Sequence, residues 1–99
     1  MQAFSRRCLT MQVTINGRRY QIRFRNPGRN VDATCDDPTE PRPEIWIRPA
    51  LQNRPVELTE TVIHECLHAQ GWPLDEEFVT GAAEDITAIL DKLGLIRKD

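Results

Sequence analysis

The 99-residue chain lacks any apolar run approaching membrane-spanning length, and its first thirteen residues, MQAFSRRCLTMQV, carry arginines without the apolar centre of a secretory signal. A cytoplasmic protein with no membrane contact is expected. The cysteines Cys8, Cys35 and Cys66 are odd in number and show no C-x-x-C spacing, which argues against a disulfide framework and against a thiolate zinc site. Acid is missing from residues 1–31, which hold Arg6, Arg7, Arg18, Arg19, Arg23, Arg25 and Arg29, while all fifteen Asp and Glu residues come later. The net charge of −2 names no partner, but the charge is polarised along the chain. A chain of this length forms one small domain with a modest core, two helices against a little sheet.

What is present begins with a hairpin. In LTMQVTINGRRYQIRF, Asn16-Gly17 supplies the two positive-φ residues of a type I′ turn. Closing the turn between Ile15 and Arg18 sets Val13 opposite Tyr20, Met11 opposite Ile22 and Leu9 opposite Phe24, which makes one face apolar on both strands. Residues 26–43 contain four prolines and little that is apolar, and read as a long surface loop. The run EIWIRP that follows predicts a short edge strand ended by Pro49. From about Pro55, Leu58, Val62, Cys66 and Ala69 recur at helical spacing until Gly71 and Pro73 stop the helix. Asp75 caps a second helix, whose stripe is Val79, Ala82, Ala83, Ile86, Ile89, Leu90 and Leu93. The expected fold class is α+β: a hairpin plus an edge strand in a small antiparallel sheet, packed on two C-terminal helices.

Both histidines of the chain fall in the first of these helices, in VIHECLHAQGW. His64, Glu65 and His68 spell H-E-x-x-H, a pattern that this composition produces by chance in roughly one or two shuffles per thousand. Residues four apart stack on one helix face, so two imidazoles can reach a single Zn²⁺ while the intervening glutamate lies beside a water activated by the metal. On the helical wheel both histidines lie off the Leu58-Val62-Cys66-Ala69 stripe, where a site at the edge of the core needs them. A zinc hydrolase requires a third protein ligand and an open fourth position. Residue 74, where the long metzincin motif has histidine, is leucine, so the nearest donors are the carboxylates of LDEEF. Glu76 sits at the edge of the second helix's apolar stripe and is the favoured ligand. Glu77 points almost opposite the stripe and is the alternate.

The stretch VIHECLHAQGWPLDEEFVTGAAEDITAILDKLG, with the preceding EIWI, resembles the small H-E-x-x-H proteins encoded in phages and prophages and described as metallopeptidases. It is also similar in plan to minimal gluzincins and to ImmA-like or SprT-like domains. The likeness covers residues 44–94 and implies one zincin-like metallopeptidase domain over residues 1–99. In gluzincins a glutamate on the following helix completes the metal site, which maps onto Glu76 or Glu77, here after a shorter spacer. The implied reaction is hydrolysis of a peptide or protein substrate in the cytoplasm, the host's if the chain is phage-encoded. Glu65 acts as general base toward the zinc-activated water and then donates the proton to the leaving amine. Extended substrate is expected to pair with the strand at Ile45, Trp46 and Ile47, with Trp46 facing either the cleft or the second helix.

Two other readings remain open on the sequence alone. Zinc can staple a small fold without catalysis. The arginine-rich hairpin face, with Arg19, Arg23 and Arg25, suits nucleic-acid phosphates. Cys35, in the long loop, is either a free thiol or an inhibitory thiolate on the zinc.

Overall fold

The computed structural model describes residues 10–98. Its hairpin forms as local chemistry requires. β1 (Thr10–Ile15) and β2 (Arg18–Phe24) run antiparallel around Asn16 and Gly17, whose φ angles of 48° and 77° are the left-handed pair of a type I′ turn. Val13 pairs with Tyr20 and Met11 with Ile22, and the expected apolar face follows. The Leu9–Phe24 pair lies outside the described residues, as do Arg6, Arg7 and Cys8.

Beyond the hairpin the sheet differs from expectation in two respects. The segment read as a surface loop contains a short strand, β3 (Ala33–Cys35), and the order of strands is β1-β2-β4-β3, with β4 spanning Glu44–Ile47. β4 runs parallel to β2 and antiparallel to β3. The sheet is therefore mixed, and EIWI is an interior strand rather than an edge. The reason is long-range hydrogen bonding that folds residues 26–43 into a crossover. Arg18 donates to the Pro38 and Glu40 carbonyls at 2.8 and 2.6 Å, and Arg48 donates to the Gly28 carbonyl at 2.6 Å. The Asp36 carboxylate accepts the Glu44 N–H at 3.0 Å. Held at these points, the chain returns alongside β2 and lays Ala33–Cys35 on the outer edge of β4.

Alternation decides what each strand buries. Tyr20, Ile22, Phe24, Ile45 and Ile47 point to one side and form the core with Leu51 and Ala69. A 3₁₀ turn over Pro49–Asn53 buries Leu51 and delivers the chain to α1 (Pro55–Gln70). Leu58, Val62, Cys66 and Ala69 of α1 face this core, as their spacing predicts.

Gly71 ends α1 with its N–H on the Leu67 carbonyl. A Cβ there would come within 2.9 Å of the Leu74 side chain, so a glycine lets the chain turn tightly toward α2. α2 (Glu76–Lys92) starts at Asp75, whose carboxylate accepts the Phe78 N–H at 3.1 Å. It packs on α1, giving the layers sheet, α1, α2. Its expected single stripe divides in two: Val79 and Ala83 are buried with Thr87, whereas Ile86, Ile89 and Leu93 are exposed. One neighbouring helix covers only part of an apolar arc that wide. No helix among the described residues is long and apolar enough to cross a membrane.

Candidate metal centre

α1 is the middle layer, and its side away from the core stripe carries the histidines. One turn apart, His64 and His68 bring their Nε2 atoms to 3.2 Å from each other. The tight turn at residues 71–74 and the Asp75 cap then set the first turn of α2 directly over them. Glu76 reaches back with both oxygens: Oε1 lies 2.8 Å from His64 Nε2 and Oε2 lies 2.7 Å from His68 Nε2. These three residues form a group whose donor atoms lie within 4.8 Å of one another, able to hold a metal ion. Glu77, the alternate third ligand, is exposed and lies outside the group.

The donor set fits zinc. Two imidazole nitrogens and a carboxylate are borderline ligands. Bonds of about 2.0–2.1 Å at tetrahedral angles separate two nitrogens by about 3.3 Å, close to the spacing found. Among the described residues no fourth His, Cys, Asp or Glu joins the group.

Glu65 is 8% exposed, with its carboxyl pushed up from 4.5 to about 7. Burial is the main cause; His68 opposes it and Glu76 adds to it. A carboxyl held near neutrality is suited to taking and returning a proton. Trp72, between the glycine and proline that follow α1, lies with its ring inclined 66° to that of His68 at 6.5 Å between centroids.

The metal group opens into a cleft of about 800 Å³, walled on one side by α1 and the start of α2 and on the other by Ala33, Thr34 and Cys35. β3 is thus the strand at the site. The Asp36 N–H bonds to the Glu44 carbonyl and the Arg48 N–H to the Asp32 carbonyl, which places residues 32, 34 and 36 in ladder pairs with β4. The backbone N–H and C=O groups of Ala33 and Cys35 therefore face the open edge. No residue type marks a three-residue strand of this kind in the sequence.

The substrate-pairing assignment to Ile45, Trp46 and Ile47 needs correction. Both edges of β4 are occupied by strands, and Ile45 and Ile47 are 1% and 0% exposed in the core. Trp46 faces neither the cleft nor α2. It lies on the opposite side of the sheet, donates from Nε1 to Glu44 at 2.6 Å and carries the Arg25 guanidinium 4.5 Å from its ring centroid. Arg23, on that same face, bonds to Glu44, Thr10 and Gln21.

Cys35 lines the cleft, but its Sγ donates to the Asp36 carbonyl at 3.4 Å. Burial, then the Glu65 charge, push the thiol up to about 12, so it keeps its proton. Comparison with protein families, with curated proteins and with solved structures gives no match for the chain.

Proposed function

We propose that this chain is a zinc-dependent metallopeptidase. The observation that carries the reading is the joining of His64, His68 and Glu76 into one three-donor group, with the buried Glu65 beside it, in a cleft bordered by an open strand edge. His64, His68 and Glu76 would hold the ion. When bound, zinc supplies Lewis acidity, polarising a carbonyl and acidifying water. Glu65 would take the proton at its carboxylate, which a neighbouring cation favours, and pass it to the departing amine. The outward N–H and C=O groups of Ala33 and Cys35 would pair with an extended peptide and hold it across the face of α1. Three protein donors favour this reading over a purely structural zinc site, which takes four.

Zinc content by mass spectrometry and cleavage of a peptide library test it together. Wild type and Glu77→Ala are expected to carry one zinc, and Glu76→Ala to lose it. Glu65→Gln is expected to keep zinc and lose cleavage. Cleavage that survives Glu65→Gln overturns the mechanism, and a wild-type protein free of zinc after loading overturns the metal assignment.

A further inference from the structure

The apolar residues along α2 and at its C-cap Leu93 that are not fully buried have a pattern of their own. Ala82, Ile86, Ile89 and Leu93 are spaced four, three and four apart, the seam of a two-helix coiled coil. Ile86, Ile89 and Leu93 are 40%, 58% and 65% exposed, and Phe78 and Leu95 extend the surface at 58% and 68%. At roughly 200 Å² per large side chain and about half exposed, these five present about 500 Å² of apolar surface. Two such faces meeting along the seam bury less than the roughly 1,600 Å² of a standard interface, so the expected association is weak and concentration-dependent.

The charges beside the seam say what covers it. Asp85 and Lys92 lie seven residues apart, each one position before a seam residue, Ile86 or Leu93, so they share one flank. Both are exposed, and neither is ion-paired among the described residues; the neighbouring Asp91 pairs instead with Lys98 at 2.6 Å. If two copies of α2 cross antiparallel with a two-fold axis near Ile89, like flanks meet. Ile89 then packs on its own copy, Ile86 on Leu93 of the second copy, and Asp85 opposite Lys92 of the second copy, twice by symmetry. In a parallel pairing opposite flanks meet, so Asp85 and Lys92 would face the side of Ala83 and Leu90 and could not pair with each other. We propose that the chain forms an antiparallel homodimer through the outer face of α2.

Sedimentation of the full chain over about 1 to 500 μM tests the proposal, with circular dichroism checking the fold of each variant. Wild type is expected to approach twice 11.4 kDa as concentration rises. Ile89→Asp, at an exposed position, is expected to stay folded and monomeric. Asp85→Lys and Lys92→Asp each replace two attractions by two repulsions and are expected to weaken the dimer about tenfold or more. The double variant Asp85→Lys/Lys92→Asp restores the attraction with its sign exchanged and is expected to return to near wild-type affinity. A wild type that remains monomeric throughout overturns the proposal. So does a dimer that survives Ile89→Asp, or a double variant no tighter than the single ones.

Discussion

Replacing Glu65 by glutamine removes a carboxyl that the fold holds near neutrality while keeping the side chain's size. In the metal-free protein the carboxyl rises from 4.5 to about 7, chiefly because it is buried. The folded state therefore binds more protons than the unfolded state between those values, and stability must fall as pH rises through that window. The stabilisation of the protonated form is complete below about pH 4.5 and is lost by about pH 7. At about 1.4 kcal/mol per pH unit the window is worth about 3 kcal/mol. Urea unfolding of metal-free wild type and Glu65→Gln at pH 5, 6, 7 and 8 isolates this group, since other titrating residues largely cancel in the difference. Wild type is expected to lose about 3 kcal/mol relative to the variant across the series, so that the variant gains its advantage at the alkaline end. Adding zinc should flatten the difference, because a cation beside Glu65 favours the carboxylate. A difference that stays flat over pH 5–8 without metal would refute the claim that burial governs this carboxyl.

Further outcomes follow from the same contacts. Saturating zinc at about a hundred times its dissociation constant should stabilise wild type by about 2.7 kcal/mol in thermal or chemical unfolding, and the gain should disappear in Glu76→Ala. Ile47→Ala should cost about 2–5 kcal/mol, as a core residue does, and a loss below about 1 kcal/mol would contradict its burial. The Thr87 hydroxyl is buried without a hydrogen-bond partner among the described residues, so Thr87→Val should raise stability by about 1–2 kcal/mol. Ala33→Pro removes an outward N–H but no ladder bond; it should leave zinc content unchanged and raise KM for peptides about three- to tenfold.

The elements legible in the sequence are those encoded by near neighbours. Asn16-Gly17 fixes the hairpin's register, the Leu58-Val62-Cys66-Ala69 spacing fixes the face of α1 that packs on the core, and Asp75 marks the start of α2. His64 and His68 follow directly from helical geometry, and the wheel position that favours Glu76 over Glu77 agrees with the group the fold assembles. What escaped the sequence depends on contacts across it. Pro49 suggests an edge strand, but it lies beyond Arg48, whose N–H makes the last bond of β4 to β3, and so removes no bond from an interior ladder. The crossover that moves β4 inward is pinned by Arg18 and Arg48, charged residues whose targets are carbonyls up to 22 positions away. Alternation separates Trp46 from Ile45 and Ile47, yet only the finished sheet shows that its side faces Arg25 rather than a helix.

The order of strands has a consequence for motion. β3 precedes β4 in the chain but, among the described residues, pairs with no other strand, so it joins the sheet only after β4 is in place. With three residues bonded along one side, it is expected to open at lower free energy than the longer hairpin. The wall of the cleft is therefore expected to breathe more readily than the hairpin. An extended peptide bonded to its free side would close that motion, so the cleft would be least rigid when empty and most rigid when filled.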